Sequence, residues 1–216
     1  LKFTVVRDKI PVKSNDATYM IRPGIGYIRI GSFGATTHQE FVESLNKLKA
    51  EGMQHLILDL QENGGGYLKA AVDIADEFLE KGDLIVYTDG RSTPRAEYRA
   101  HGNGLFGKGK VVVLVDGYTA SAAEIVTGAI QDQDRGLVVG RRTFGKGLVQ
   151  KVVPLPNKTG VNVTIARYLT PNGTDINKHG IKPDIEIGNE FDFNIDNKND
   201  IQLEKAKELL SQEAIK

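Results

Sequence analysis

Two side chains within residues 115–147 could act together in catalysis, a serine and a lysine. Ser121 follows an apolar run and stands among alanines, whereas Lys146 lies between two glycines, just after Phe144. A serine hydroxyl becomes an effective nucleophile when a base within hydrogen-bond reach removes its proton, and lysine can be that base if burial lowers its pKa toward neutrality. Because Phe144 could shield the amine from water, the pattern predicts a buried lysine base beside a serine nucleophile.

The position of Ser121, between a predicted strand and a predicted helix, allows two interpretations. Backbone N–H groups at a helix N-terminus carry partial positive charge, so that of Ala122 could stabilise an oxyanion. A serine in front of a helix is, however, most often an N-cap with a structural role alone. The position of the residue alone does not decide between these two interpretations.

A second loop, residues 61–67, contains three consecutive glycines after an apolar run. Such a loop can direct backbone N–H groups at a carbonyl oxygen, or it can be a tight turn from a strand to a helix. No Lys-Ser or Lys-Thr pair follows the glycines, so the loop is not of the GxxxxGK[ST] phosphate-binding type. The loop is a candidate oxyanion site, but the three glycines alone do not establish this role.

The composition makes several classes of function poor candidates. Lysine plus arginine and aspartate plus glutamate each number 28, and the basic residues are scattered along the chain. This pattern lacks the basic patch of a nucleic-acid-binding protein, so we expect no nucleic-acid partner. The chain has no cysteine, and its four histidines show no metal-binding spacing, so we expect no metal site. No apolar run approaches the roughly 20 residues that span a bilayer.

The periodicity of apolar residues predicts one α/β core in the 216 residues. The predicted strands are residues 4–12, 19–31 with a break at Pro23, 55–60, 110–117, 135–140, 148–156, 160–169 and 181–187, and the predicted helices are residues 36–52, 68–80, 122–131 and 202–215. Strands and helices alternate in the central part of the chain, which favours a mainly parallel sheet flanked by helices. Residues 148–169 are predicted to form an antiparallel hairpin. Residues 91–109 are predicted to be an exposed loop.

Six segments of the chain, in this order, resemble the carboxyl-terminal processing peptidases, also called tail-specific proteases, of serine peptidase family S41. The segments are RDKIPV, IGYIRIGSF, LILDLQENGGGYL, VLVDGYTASAAEIVTGAIQD, GLVVGRRTFGKGLVQ and YLTPNGTDINKHGIKPDI. The resemblance covers most of the chain. It implies an α/β core of the crotonase/ClpP type, with a mainly parallel sheet flanked by helices and an antiparallel β extension after Gly147.

The family motif implies a serine–lysine dyad, in which Ser121 is the nucleophile and Lys146 is the general base. Gln150 would orient the lysine, as in some members of the family. Asp132 matches an acidic position that matters in other members.

The resemblance also implies how the reaction would be stabilised. The oxyanion donors would be the N–H of Ala122 and that of a glycine in the glycine-rich loop, with Gly65 the first choice. The implied reaction is hydrolysis of a peptide bond near the C-terminus of a protein substrate, through an acyl-enzyme. No metal or organic cofactor is implied.

Further expectations concern the organisation and location of the protein. Residues 1–190 are expected to form the catalytic core, and residues 191–216 a C-terminal helical extension. Family members usually carry a PDZ domain and a helical segment upstream of RDKIPV, which are absent from this chain and which we expect as its partners in a longer protein. By resemblance the protein is expected to be bacterial and periplasmic or otherwise extracytoplasmic. Membrane association and a homo-oligomeric state are both compatible with the resemblance.

The chain departs from the family pattern at two places. It has Thr-Ala-Ser-Ala-Ala-Glu at residues 119–124 where members often have Ser-Ala-Ser-Ala-Ser-Glu, which keeps the nucleophile. Gln61 stands where members often have the arginine of Asp-Leu-Arg, so the glycine-rich loop lacks one possible anchor.

Two alternative functions are compatible with the same fold. The first is a catalytically silent peptide-binding or scaffold relative, in which Ser121 only caps a helix. The second is a crotonase-type acyl-CoA enzyme, which has less support because no catalytic acid is paired with a recognisable nucleotide site.

Overall fold

The computed structural model describes residue 3 and residues 13–156, 158–188 and 200–211. These residues form two β-sheets and four helices. The elements in chain order are β1 (Asn15–Arg22), β2 (Ile25–Ile30), α1 (Thr37–Ala50), β3 (His55–Asp59), α2 (Leu68–Asp76), β4 (Leu84–Gly90), β5 (Thr93–Arg99), β6 (Val111–Val115), α3 (Ala122–Asp132), β7 (Leu137–Gly140), β8 (Leu148–Pro154), β9 (Gly160–Leu169), β10 (Ile185–Glu186) and α4 (Ile201–Ser211).

The larger sheet has the strand order β1-β2-β3-β6-β7-β10. All neighbouring pairs are parallel except β1 and β2, which form an antiparallel hairpin around the Pro23-Gly24 turn. The central strands β3, β6 and β7 therefore point the same way, and the loops that follow them meet at one edge of the sheet. That edge carries the residues that the sequence singles out for chemistry.

Helices cover both faces of this sheet, which explains the nearly continuous apolar runs of its central strands. Helices α1, α2 and α3 pack together over one face, around a core that includes Phe41, Leu58, Ile74 and Val126. Helix α4 lies on the other face, where Leu209 and Leu210 pack with residues of β3, β6 and β7. The predicted α/β core with a mainly parallel, helix-flanked sheet is confirmed.

The smaller sheet is antiparallel, with the order β5-β4-β9-β8. It contains the predicted hairpin, β8 and β9, which begins directly after Gly147. The prediction that residues 91–109 form an exposed loop is wrong for β5, which pairs with β4, a strand that the sequence analysis did not assign. Strand β5 is an exposed edge strand of largely polar residues, so no apolar alternation marks it in the sequence.

Helix α2 is shorter than predicted, whereas a second predicted helix and one predicted strand lie partly or wholly outside the described residues. Helix α2 ends at Asp76 rather than at residue 80, because Glu77 and Phe78 form tighter i→i+3 hydrogen bonds and the chain then turns away. The predicted C-terminal helix is present as α4, and its predicted last residues lie outside the described part of the chain. The predicted strand at residues 4–12 also lies outside it.

Asp59 is one of the buried carboxylates at the edge that carries the loops. Asp59, the last residue of β3, is 1% exposed. It accepts a hydrogen bond from the Tyr27 hydroxyl and another from the Gln61 N–H, and Arg29 Nη1 lies 3.7 Å from its Oδ2. Burial raises the pKa of Asp59 to about 6, because the loss of water outweighs the hydrogen bonds and the nearby guanidinium, which favour the charged form.

We predict that Asp59 makes the protein more stable when mildly acidic conditions protonate it. Its pKa is higher in the folded chain than in the unfolded chain, so the folded state binds more protons between about pH 4 and pH 6 and gains stability as the pH falls through that window. Relative to an Asp59→Asn variant, the parent should gain about 1 kcal/mol of unfolding free energy between pH 7 and pH 5. Urea melts of both proteins measure this difference. A difference that does not change with pH would contradict the raised pKa.

Candidate active site

Three loops meet at the carboxyl ends of adjacent parallel strands. The glycine loop (residues 60–67) follows β3, the serine loop (residues 116–121) follows β6, and the lysine loop (residues 141–147) follows β7. The fold thus brings together the three segments that the sequence analysis selected.

Ser121 has a backbone conformation that is rare for a residue with a side chain. Its φ is 56° and its ψ is −116°, and it occupies the N-cap position of α3. An ordinary N-cap residue has φ and ψ in the β region. A non-glycine residue at positive φ costs of order 1–3 kcal/mol, and such strain is concentrated at functional sites. Ser121 forms a capping box with Glu124, but its backbone conformation is not that of an ordinary helix cap.

The fully buried carboxylate of Glu124 joins the serine and lysine loops. Its Oε2 accepts hydrogen bonds from the N–H of Ser121 at 2.7 Å and from the N–H of Lys146 at 2.9 Å. Its Oε1 accepts from the N–H of Gly145 at 2.7 Å and from the Thr143 hydroxyl at 2.6 Å. Because one oxygen binds both, the backbone nitrogens of Ser121 and Lys146 lie within roughly 6 Å of each other.

The side chain of Lys146 is exposed, so the predicted burial of this lysine is wrong. Phe144 does not shield it, since the phenyl side chain is itself 64% exposed. The physical reason is that the lysine loop is held through its backbone by Glu124, which leaves the side chains of Phe144 and Lys146 outside the packed interior. No ion pair of Lys146 is present among the residues that the structure describes.

Asn63 fixes the glycine loop against the rest of the site. Its side-chain amide donates to the Ile30 carbonyl at 2.6 Å, and its side-chain carbonyl accepts from the Gly65 N–H at 2.8 Å. Its backbone carbonyl accepts from the Ala120 N–H at 2.8 Å, which links the glycine loop to the serine loop. Asn63 is fully buried, so these bonds are protected from water.

Gly65 lies directly against the candidate nucleophile. A Cβ at this position would come within 2.8 Å of both the Ser121 Cβ and the Ala122 backbone nitrogen, and Gly65 has φ of 90°. Both the close approach and the backbone conformation require glycine here. The structure therefore brings Gly65, Ser121 and Ala122 together, as the sequence predicts.

The hydrogen bonds of the predicted oxyanion donors differ. The Gly65 N–H is already bound to Asn63 Oδ1. Within the described parts of the chain, the Ala122 N–H has no acceptor. Gly65 would have to release Asn63 before it could donate to a substrate.

Asp116 and Thr119 form a second buried link between the glycine and serine loops. Asp116 Oδ1 accepts from the N–H groups of Glu62 and Thr119, at 3.1 and 2.9 Å. The Thr119 hydroxyl donates to the Leu60 carbonyl at 2.8 Å. The backbone of both loops is thus bonded to side chains in the layer below the site.

Two of the predicted site residues make no hydrogen bond to the others within the described structure. Gln150 lies on β8 with an exposed side chain, and no hydrogen bond joins it to Lys146 in the described structure. Asp132 is at the C-terminal end of α3, roughly 16 Å along the helix axis from Ser121. Its carboxylate accepts from the Asn172 N–H at 2.8 Å.

The sequence analysis missed the buried residues that organise the site, Glu124, Asn63, Asp116 and Thr119. A sequence pattern was available for one of them, since Ser121 and Glu124 have the Ser-x-x-Glu spacing of a capping box. The other three follow strands in loops, where their hydrogen bonds depend on the tertiary fold.

The structure also shows what holds Gln61, where the resemblance led us to expect an arginine. The Gln61 side-chain amide donates to Gln202 Oε1 of α4 at 2.6 Å, so the start of the glycine loop is tied to the helix on the opposite face of the sheet. Gln202 in turn donates to the Ile187 carbonyl. The loop therefore has an anchor that the sequence analysis did not predict.

In the described ranges, no three histidine, aspartate or glutamate side chains come close enough to hold a metal ion. None of the helices seen in those ranges has both the length and the apolar composition needed to cross a membrane.

Comparison with known proteins identifies relatives of this chain. It is 42% identical over 179 residues to the chloroplastic C-terminal processing peptidase of Tetradesmus obliquus, which covers 81% of this chain and 38% of the relative. It is 40% identical over 210 residues to the carboxyl-terminal-processing protease of Picosynechococcus sp., which covers 96% of this chain and 49% of the relative. The chain thus spans about half or less of the length of these relatives.

The fold is also similar to that of a solved structure, photosystem II D1 C-terminal processing protease. The TM-score is 0.73 at 37% sequence identity, over 85% of this chain and 50% of the other. The expected α/β fold with an antiparallel extension is confirmed by this likeness. Residues 24–187, which contain all three loops of the site, match the family model of peptidase family S41. The chain belongs to peptidase family S41.

Proposed function

We propose that the protein is a serine endopeptidase that cleaves protein substrates near their C-terminus, with Ser121 as nucleophile and Lys146 as general base. The observation that carries this proposal is the shared carboxylate of Glu124, which binds the backbone N–H of both residues. Ser121 is in addition strained and in contact with Gly65. The bond from the Ser121 N–H to Glu124 is also part of a capping box, but a helix cap alone requires neither the strain nor the close contact with Gly65.

The proposed reaction has two stages. In the first, Ser121 Oγ attacks the carbonyl carbon of the scissile bond while its proton passes to Lys146 Nζ; the tetrahedral intermediate then expels the amine, which takes that proton, and leaves an ester on the serine. In the second, Lys146 takes a proton from water as the water attacks the ester, and returns it to Ser121 as the acid leaves.

The exposed position of Lys146 gives the substrate a part in this reaction. The base has to be a neutral amine, and removal of water favours the neutral form of an amine. A peptide lying across the lysine loop would remove water from around the Nζ and favour the neutral form. We propose that Lys146 becomes an effective base only when substrate covers it.

The remaining predicted residues have supporting roles in this proposal. The Ala122 N–H is the first oxyanion donor, because it lacks an acceptor among the described residues. Gly65 is the second, and it exchanges its bond to Asn63 for one to the substrate. Gln150 would orient Lys146 after a rotation of its exposed side chain. Asp132 would act at a distance, by holding the turn at Asn172.

The substrate and setting of the whole protein are likewise proposals. Relatives named for C-terminal processing support a protein or peptide substrate with a free C-terminus. Their chloroplastic and cyanobacterial occurrence is consistent with a location outside the cytoplasm. We propose that an upstream PDZ domain delivers the substrate tail by adding it to a sheet edge.

We predict that Ser121→Ala and Ser121→Gly both abolish peptide hydrolysis but differ in stability. Both remove the hydroxyl, whereas glycine alone adopts φ of 56° without strain. The glycine variant should therefore be more stable than the alanine variant by about 1 kcal/mol in urea melts. Labelling by a fluorophosphonate probe should be lost in both. Residual hydrolysis near the parent rate in either variant would rule out Ser121 as the nucleophile.

We predict that Lys146→Met and Lys146→Arg lower kcat/KM by about 100-fold or more, because methionine has no base and a guanidinium cannot release its proton. Since the Lys146 side chain is exposed, the unfolding free energy should change by no more than about 0.5 kcal/mol. Peptide hydrolysis and urea melts of the two variants provide the test. An arginine variant with parental activity would show that the lysine supplies charge rather than a base.

We predict that Glu124→Gln lowers both activity and stability, although it changes neither size nor shape. An amide NH₂ would face at least one pair of the N–H and hydroxyl donors that the carboxylate now binds, so buried donors would lose their acceptors. We expect a loss of about 2 kcal/mol in urea melts and a fall in kcat of about 100-fold. The exposed Glu43→Gln on α1 is the matched control. Parental kcat in Glu124→Gln would show that this carboxylate does not position the dyad.

A further inference from the structure

Three of the five exposed aromatic side chains in the described structure lie at the candidate site, and the other two are Phe3 and Tyr19. Tyr67, Tyr118 and Phe144 are 63%, 53% and 64% exposed. By contrast, the core of the described structure contains aromatic residues with almost no exposure, such as Phe41 and Phe78. The other notable group of exposed large apolar side chains is aliphatic and lies on β8 and β9.

Each of these three aromatic residues belongs to a different loop of the site. Tyr67 ends the glycine loop, two residues after Gly65, which touches Ser121. Tyr118 lies in the serine loop, and Phe144 lies in the lysine loop, two residues before the candidate base. The fold therefore places an aromatic side chain on every segment that approaches the nucleophile.

Hydrogen bonds fix the backbone at all three positions. The Phe144 N–H donates to the Thr119 carbonyl at 3.0 Å, so Phe144 and Tyr118 both adjoin Thr119. The Tyr118 N–H donates to Asp116 Oδ1 at 2.9 Å. The Tyr67 N–H donates to the Phe33 carbonyl at 2.8 Å. These aromatic rings project from anchored backbone, which limits the conformational entropy lost when they bind a ligand.

We propose that Tyr67, Tyr118 and Phe144 form an apolar rim that receives the side chains on either side of the scissile bond, and that they make the enzyme select apolar residues there. Rigid aromatic side chains supply a large contact area at low entropic cost, which is why they are enriched where proteins bind peptides. The rim also brings an apolar substrate over Lys146, which excludes water from the amine. This inference deepens the proposed peptidase function and rests on it.

The test uses pairs of fluorogenic peptides that differ only at the two residues flanking the cleaved bond, leucine in one and serine in the other. In Tyr67→Ser, Tyr118→Ser and Phe144→Ser proteins, kcat/KM for the leucine peptide should fall about 10-fold through KM. For the serine peptide, kcat/KM should change by less than about 3-fold. Phe144→Leu, which keeps an apolar side chain, should restore most of the loss seen with Phe144→Ser. Equal losses for both peptides, or no loss for either, would overturn the proposal.

A matched control separates this effect from a general loss of surface hydrophobicity. Val161→Ser removes an apolar side chain that is 47% exposed on the distal part of the β8–β9 hairpin, opposite Val153. It should leave the kinetics of both peptides at parental values. A fall in the leucine peptide's kcat/KM equal to that of the rim variants would contradict the assignment to the rim.

A binding measurement distinguishes failure of this inference from failure of the proposed peptidase function. In a Ser121→Ala background, which needs no hydrolysis, fluorescence anisotropy should show that the leucine peptide binds about 10-fold more weakly when Phe144 is serine. If the parent cleaves no peptide but this difference in binding is found, the rim is supported and the peptidase proposal fails. If the parent cleaves peptides and the binding does not change, the rim proposal fails alone.

Discussion

The geometry of the site depends on the buried carboxylate of Glu124. Four donors converge on its two oxygens, and two of them are the backbone N–H groups of Ser121 and Lys146. The charge of a buried carboxylate has to be compensated by such donors. The loss of one of these hydrogen bonds therefore costs more free energy than the loss of a hydrogen bond at the surface. Glu124 belongs to α3, and its partners in the lysine loop follow β7. Its side chain therefore sets the position of the lysine loop relative to the serine loop.

The strain at Ser121 is sustained by this network. The N–H of Ser121 points to Glu124, the N–H of the preceding residue Ala120 points to the Asn63 carbonyl, and Gly65 closes the space beside the Cβ. The backbone is thus bonded on both sides of Ser121, and these bonds offset the cost of its strained conformation. The unusual conformation of the serine is thus a consequence of buried polar contacts around it.

Much of the fold could be predicted because its determinants are local. The run of five buried residues in β6 and the amphipathic α1 have distinct apolar periods, and Pro23 with Gly24 marks a turn. Strand β5 could not be predicted in this way, since its stability comes from pairing with β4 and from surface contacts such as that of Arg95 with Glu97. Edge pairing of this kind leaves no pattern in a single sequence.

The candidate site likewise has features that the sequence predicts and features that it does not. The proximity of Ser121, Ala122 and Gly65 follows from two strand-to-helix turns on adjacent parallel strands, which the order of elements already indicates. The exposure of Lys146 could not be predicted, because it depends on how the lysine loop is held: at Gly145 and Lys146 the bonds to Glu124 come from the backbone, so the Lys146 side chain stays outside. Whether a loop is fixed by its backbone or by its side chains is a tertiary property.

The tie between Gln61 and Gln202 shows how this chain accommodates a departure from its family pattern. Asp59, two residues before Gln61, already has Arg29 nearby and hydrogen bonds from Tyr27 and the Gln61 N–H, yet its pKa is still raised by burial, with a further contribution from the negative charge of Asp200. A neutral amide at position 61 bonds to α4 and leaves Arg29 as the cation next to Asp59. The glycine loop is thereby coupled to a helix on the opposite face of the sheet, and the position of α4 becomes part of what sets the geometry beside Ser121.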